Sequence, residues 1–303
     1  MSTILITGGT GLLGSALKNA LEKDGHRVLI LTRNFPTERP DYFHWNVEAG
    51  FVDPNALNET DVIFHLAGAS IAEKRWTPKY KKVLLESRTL TSALIADRLR
   101  DFPNRVKTVI ATSAIGVYGN TGDQWVDENS TQSSGFLGEL CRKWEKELMR
   151  FDGIGKRVVI LRTGVVLSPK GGMLKEVQKP VKLFVGSAIG SGQQYVSWIH
   201  IDDMVRMLIY AMKNESVKGT FNAAAPEPVT NKAFMQSLAH TLHRPLWPFN
   251  VPSKLISVMM GEKAEIILEG QRVSSKKIIS SGFNFNFTHI DSALHNLLLD
   301  RSN

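Results

Sequence analysis

The chain has 303 residues, 43% hydrophobic and 22% charged, with 37 basic against 29 acidic residues and a formal net charge of +8. That length supports two domains, or one large domain with a smaller lobe, and its single cysteine, Cys141, excludes an intramolecular disulfide framework and fits a reducing compartment. No apolar run approaches the ~20 residues of a membrane span. The N-terminal MSTILIT carries no basic leader, and the basic residues are scattered except for KRWTPKYKK at 74–82. That cluster reads either as a solvated helix start or as a pocket for an anion.

In chain order, STILIT is a short buried strand, and a helix is expected from about Leu12 to Lys23, ending at Gly25. RVLILTR (27–33) and DVIFHLAG (61–68) are two further strands, and a long helix runs from about Pro78 to Arg100 with proline in its first turn. VKTVIATSA (106–114) and KRVVILRTG (156–164) are strands flanking a helix near 135–150. Strands alternating with helices in this way imply an α/β fold with a mostly parallel, doubly wound sheet.

After Gly164 the pattern loosens. Glycines gather at 171–172 and 186–192, prolines at 226, 228, 245, 248 and 252, and helices are expected near 202–213, 230–242 and 289–299. No fixed-period repeat is present. The expected division is a dinucleotide-binding domain over 1–168, with 193–224 returning to it, and a lobe built mainly from 169–303 that closes over the strand ends.

Gly8-Gly9-Thr10-Gly11-Leu12-Leu13-Gly14 follows the first strand and opens the first helix. The glycines allow a tight turn, close approach of backbone to a pyrophosphate and close helix-on-strand packing, while the helix N-terminus offers unpaired N–H groups to the phosphates. Cofactor choice is read at the end of the second strand, where Thr32-Arg33-Asn34 places Arg33 nineteen residues after Gly14, with no acid before Glu38. A guanidinium there suits the extra phosphate of NADP better than the ribose hydroxyls of NAD.

With GGTGLLG, Leu66-Ala67-Gly68, the strand ending Thr112-Ser113, the VYG of 117–119 and WIHIDDM (198–204), the chain resembles an extended short-chain dehydrogenase/reductase, a superfamily with a Rossmann-type sheet. EKRW (73–76), SR (87–88), KWE (143–145), LRTGVVL (161–167), IGSGQQY (189–195) and LEGQR (268–272) narrow the resemblance to its atypical epimerase-family branch, the YfcH-like and SDR39U1-like proteins, with a C-terminal module of unknown function. The resemblance implies NADP(H) held by Gly8, Thr10, Gly11, Leu12, Leu13 and Gly14. Thr32 and Arg33 take the adenosine phosphate end, Leu66, Ala67 and Gly68 line the ribose side, and Arg88 and Thr163 are further contacts. It also implies Ser113 as the residue that holds the substrate oxygen.

Superfamily enzymes pair a tyrosine with a lysine four residues on, the lysine lowering a phenol pKa that is ordinarily near ~10. The chain has five tyrosines, and the residues four beyond them are Asn46, Leu84, Gly122, Ile199 and Asn214. No such pair exists. Setting Glu145 where the superfamily often has a glutamate puts Leu137 and Cys141 in the pair's places; a register on Lys143 puts Glu139 in the tyrosine slot. Tyr118 is the nearest phenol to Ser113 in sequence, as a substitute proton donor or as a pocket wall. His200 and Asp203 read as an acid/base pair or as scaffold, and Cys141 as packing.

Trp76, Gln194, Tyr195, Trp198, Gln271 and Arg272 mix aromatic surface with amide and guanidinium donors and are the expected substrate-binding residues. The expectation is a cytoplasmic NADP-dependent oxidoreductase or epimerase-like protein acting on a small polar, nucleotide-sugar-like molecule. No metal, nucleic acid or membrane enters, and a homo-oligomer is compatible. The alternative is a non-catalytic NADP(H)-binding redox sensor.

Overall fold

A computed structural model describes residues 1–34 and 39–300; Glu38 lies outside them. Eight strands form the central sheet, in the order 219–223, 157–163, 108–114, 62–65, 3–7, 27–32, 42–46 and 51–52. The pairings are parallel except at the 51–52 edge. Strand 3–7 is central because its interior residues Ile4, Leu5 and Ile6 are fully buried, as a strand covered on both faces requires. The order reverses on either side of it, so a crevice opens at the carboxyl ends of strands 3–7 and 62–65.

Helices Pro78–Asp101 and Phe136–Leu148 cover one face of the sheet, over a core that includes Leu5, Leu29, Ile63, Leu84, Val109 and Trp144. Helices Leu12–Lys23 and Ile201–Lys213 cover the other face, over Ile4, Ile6, Leu17, Phe64, Met204 and Leu208. A third core joins helices Gly172–Lys182, Asn231–Thr241 and Ile290–Leu298 around Leu174, Trp198, Phe234 and Leu294. The chain leaves the sheet after Thr163 and returns to it at Gly219–Ala223, which pairs with Val159–Thr163. Strands 42–46 and 51–52, which extend the sheet beyond 27–32, are not expected from the sequence; YFHWN gives only a half-buried pattern.

Among the described residues twelve glycines have positive φ, and only two other residues do, Phe184 (φ 63°) and His243 (φ 52°). Both end helices in the 6→1 and 5→2 hydrogen-bond pattern that normally calls on glycine. Val185 N donates to Pro180 O and Phe184 N to Val181 O, while Arg244 N donates to Ala239 O and His243 N to His240 O. A side chain there costs about 1–2 kcal/mol in local strain. No helix among the described residues is long and apolar enough to cross a membrane, and no cluster of three His, Cys, Asp or Glu there can hold a metal ion.

Candidate active site

The glycine turn closes on itself through Gly11 N donating to Gly8 O at 3.0 Å. Gly8 has φ 71°, and a Cβ there would lie 2.9 Å from Leu66 O; a Cβ on Gly14 would lie 2.2 Å from Gly8 O. The helix beginning at Leu12 has Gly11 as its N-cap, no side-chain cap bond and no acid in its first turn. Its terminal N–H groups and positive dipole end are thus left for an anion in the crevice. Thr10 is exposed at the tip, and Leu12 packs at Gly171, so the segment that leads into helix Gly172–Lys182 touches the turn. Arg33 is exposed just past strand 27–32, beside Thr32, whose hydroxyl donates to Asn34 O.

Beneath the turn a buried chain fixes the neighbouring strand end. Ser92 Oγ donates to Arg88 O at 2.6 Å, so it accepts from His65 Nε2 (3.0 Å). His65 Nδ1 then accepts from the Thr7 hydroxyl at 2.8 Å, and Thr7 Oγ1 accepts from Leu66 N and Ala67 N. One proton order satisfies every member, with a neutral imidazole, and burial pushes the His65 pKa down to about 4. The network holds Leu66 and Ala67 against Gly8 and carries no exchangeable proton into the crevice.

Arg88 is buried, with its guanidinium against Gly68 and over the Trp144 ring (5.1 Å). It donates to Leu84 O, Ala69 O and, at 3.4 Å, Ser87 Oγ, while its Nε has no hydrogen-bond partner and no carboxylate pairs with it among the described residues. Burial lowers its pKa. A buried cation without a counter-charge, at the rim of a crevice built for an anion, matches the second cofactor contact that the resemblance implies.

Helix Phe136–Leu148 decides the register of the missing pair. Lys143 and Glu139 form an i,i+4 ion pair with both side chains half exposed, so that register faces solvent. Leu137, Cys141 and Glu145 face the sheet: Leu137 packs at Gly116, and Cys141 is 1% exposed. Burial and the Glu145 charge push the Cys141 thiol up to about 11, with Arg88 pulling the other way. The thiol is inert packing.

Ser113, at the carboxyl end of strand 108–114, donates its hydroxyl proton to Glu145 Oε1 at 2.7 Å. Glu145 is gripped by Arg162 in two parallel bonds, from Nε to Oε1 at 2.9 Å and from Nη2 to Oε2 at 2.8 Å. Arg162 lies directly across from Ser113 in the parallel register and is 4% exposed. Burial alone would lower the Arg162 pKa, but the Glu145 carboxylate and Tyr118 raise it overall. The Ser113 oxygen is therefore held with its proton turned inward and its lone pairs available to a hydrogen-bond donor.

Tyr118 is the far end of this network and not a free phenol. Its hydroxyl accepts from Arg162 Nη1 at 3.0 Å and donates to Asn222 Oδ1 at 2.7 Å, and burial raises its pKa against the pull of Arg162 and Asn222. A proton already committed to a buried amide is not offered to the cleft, so the expectation of Tyr118 as proton donor is corrected. Arg162 was missed in the sequence, although a lone arginine inside the apolar run VVILRT required a buried carboxylate partner.

Three of the six expected substrate-side residues put their side chains into the framework. Trp198 is fully buried and donates to Glu227 O; Trp76 donates to Ile71 O and meets Phe136 edge-on; Gln194 Nε2 braces Ile189 O and Ile267 O. At Gln271 the main-chain carbonyl accepts from Ser197 Oγ. Arg272 lies between the Trp125 ring (4.4 Å) and the Tyr195 ring (4.9 Å), an aromatic-flanked cation on the short strand that pairs with 125–126. His200 and Asp203 are scaffold: His200 Nδ1 accepts from Asp202 N as a helix cap, and Asp203 accepts from Asn286 N, Phe287 N and Arg206. The basic cluster at 74–82 clasps the C-terminal segment, with Arg75 donating to Val258 O and Lys81 paired with Glu262.

A model of the NAD dependent epimerase/dehydratase family matches residues 4–224, and one of a domain of unknown function (DUF1731) matches residues 251–297. The chain is 39% identical over 294 residues to Epimerase family protein Mb2239 of Mycobacterium bovis, covering 97% of this chain and 96% of that protein. It is 37% identical over 302 residues to Epimerase family protein YfhF of Bacillus subtilis, covering 98% of each. The crystal structure of human epimerase family protein SDR39U1 (isoform 2) with NADPH matches with a TM-score of 0.89 at 30% identity, over 97% of this chain and 98% of that one. UDP-N-acetylglucosamine 4-epimerase from Bacillus cereus shares the fold, with a TM-score of 0.77 at 18% identity and 98% of each chain covered. With its crevice, glycine turn and serine strand in place, the chain belongs to the NAD dependent epimerase/dehydratase family, among the epimerase family proteins that resemble SDR39U1.

Proposed function

We propose that this protein binds NADP(H) in the crevice at the glycine turn and acts as an oxidoreductase or epimerase-like enzyme on a small polar, nucleotide-sugar-like substrate in the cytoplasm. In this reading residues 1–168 with 193–224 form the cofactor domain, and most of 169–303 forms the substrate lobe. The observation that carries it is the fit of the empty-handed donors to an anionic dinucleotide: an uncapped helix start at Gly11, a turn that a Cβ at Gly8 or Gly14 would fill, and a buried Arg88 without a counter-charge. Exposed Arg33 past the second strand favours NADP over NAD, in keeping with NADPH in the human relative's crystal structure.

When bound, NADP(H) supplies or accepts the hydride. Ser113 would receive the substrate hydroxyl as a hydrogen-bond acceptor, because Glu145 and Arg162 hold its own proton inward. Aromatic-flanked Arg272 and Tyr195 would face the polar end of the substrate. The non-catalytic sensor is the second reading, favoured by the two side chains that occupy the proton-transfer slots, Leu137 and a Cys141 thiol pushed up to about 11.

Titration of the protein with NADPH and NADH tests the first step: Arg33→Ser is expected to weaken NADPH about 10- to 100-fold and to leave NADH nearly unchanged. Equal losses for both cofactors would remove the NADP assignment. Nicotinamide absorbance with a pool of cell metabolites tests the second step. Turnover abolished by Ser113→Ala supports the enzyme; NADPH bound without turnover, with different hydrogen exchange for NADPH and NADP+, supports the sensor.

A further inference from the structure

Away from the crevice, the ends of two helices of the C-terminal lobe carry a surface that folding does not explain. Leu183, Phe184 and Val185 are 72%, 52% and 55% exposed, and Trp247 and Phe249 are 55% and 78% exposed. The two turns are neighbours, since Trp247 N donates to Gly186 O and Trp247 Nε1 to Phe184 O. Five large apolar side chains thus project from one pair of turns. Soluble proteins seldom expose such a cluster without a partner for it.

The backbone beneath the cluster is strained at the two positions where a glycine would relieve it. Phe184 and His243 are the only non-glycine residues with positive φ among those described, and Arg244, next to His243, stacks over the Phe184 ring at 4.8 Å. A phenylalanine held in that conformation and half exposed weakens the fold; such strain belongs with a surface that has a use.

Charge identifies the partner. Residues 177–201 and 228–261 contain no Asp or Glu, yet they include Lys179, Lys182, Lys232, Arg244 and Lys254. The acids that border these stretches already have basic partners, Glu176 with Lys179, Glu227 with His289 and Glu262 with Lys81, and Asp291 shares a surface hollow with His240 and His243. A second copy docked through the same face would bring like charges together across the contact. The following helix, Ser253–Met260, repeats the arrangement: it buries no residue, and Leu255, Val258 and Met259, at i, i+3 and i+4, are 50%, 75% and 66% exposed beside Lys254. Aromatic and aliphatic side chains on protruding turns, ringed by cations, make a wedge rather than a groove. That shape fits the headgroup layer of an anionic bilayer better than the face of a folded protein.

We propose that this face is a peripheral membrane-docking surface, in which the turns at 183–185 and 247–249 enter the interface of bilayers rich in anionic lipid and the surrounding lysines and arginines meet the headgroups. The absence of a spanning helix is no obstacle, because docking of this kind lies on the membrane and does not cross it.

The test is co-sedimentation of the full chain with vesicles of phosphatidylcholine alone and with roughly a third phosphatidylglycerol. Binding is expected only to the anionic vesicles, and raised salt should weaken it. The double variant Leu183→Asp, Phe249→Asp should lower it about tenfold or more, with NADPH affinity and Tm unchanged. Phe184→Gly should lower binding while Tm stays at or above that of the parent, an outcome that a merely structural Phe184 does not produce. No binding to anionic vesicles, or binding that both variants retain, overturns the proposal. So does sedimentation analysis showing a dimer that the double variant dissociates, which would assign the face to a second copy of the chain.

Discussion

The two walls of the crevice are built on opposite plans. The glycine wall is mostly backbone: a glycine-rich turn, a helix start with no side-chain cap, and an exposed arginine just past the strand end. The serine wall is side chain: Ser113, Glu145, Arg162, Tyr118 and Asn222 are linked by hydrogen bonds in a largely buried network that leaves the Ser113 lone pairs as its open acceptor. The difference explains why a charged group is welcome on one wall and expensive on the other. Open N–H groups attract an anion at no cost to the fold, whereas a buried carboxylate tolerates only the partner it was folded with.

The comparison breaks hardest on the serine wall. Arg162→Met leaves the Glu145 carboxylate buried and unpaired, so denaturant unfolding should show a loss of about 3–5 kcal/mol, while the double variant Arg162→Met, Glu145→Met should recover most of it. A double variant as unstable as the single one would mean that the pair's shape, and not its charge, holds the wall together.

On the glycine wall the damage is steric. Gly14→Ala brings a Cβ within 2.2 Å of Gly8 O, and the turn must move, at a cost of about 3 kcal/mol. NADPH affinity should fall at least as steeply as stability, by about a hundredfold. Retained affinity in a destabilised variant would show that the turn is packing only.

The floor between the walls sharpens the contrast through pH. The folded-state pKa of His65, about 4, lies below its ordinary value, so the unfolded chain takes up the proton first as pH falls. Its contribution is full above about pH 6.5 and is lost between there and about pH 4, on the order of 2–3 kcal/mol across that window. Parent and His65→Gln compared by urea unfolding at several pH values should differ in this slope; equal slopes would remove His65 as the cause.

The smallest effect expected is at Cys141. With its thiol pushed up to about 11 and buried, alkylation of the native protein should run more than about a hundredfold slower than that of an accessible thiol. Rapid labelling at neutral pH would place a reactive thiolate in the slot where the serine wall shows only packing.

The sequence by itself determined the parallel sheet, the position of the glycine turn and the lack of a Tyr-Lys pair, because each depends on near neighbours along the chain. Three glycines at spacing three, apolar strands bounded by helices, and the residue four beyond each tyrosine are all local facts. It also placed Ser113 at its strand end and Arg33 at the end of the second strand, which the structure closes one residue earlier, at Thr32. Only the tertiary structure decided which face of helix 136–148 meets the sheet, and with it that Lys143 and Glu139 lie in solvent while Glu145 binds Ser113. The same holds for Tyr118, close to Ser113 in sequence but turned towards Asn222, more than a hundred residues on. It holds too for Trp76, Gln194 and Trp198, whose side-chain N–H groups are spent on the backbone carbonyls of Ile71, of Ile189 and Ile267, and of Glu227. Hydrogen bonds and ion pairs between side chains far apart in sequence leave no period or spacing behind; they exist only once packing has brought their partners together and excluded water from between them.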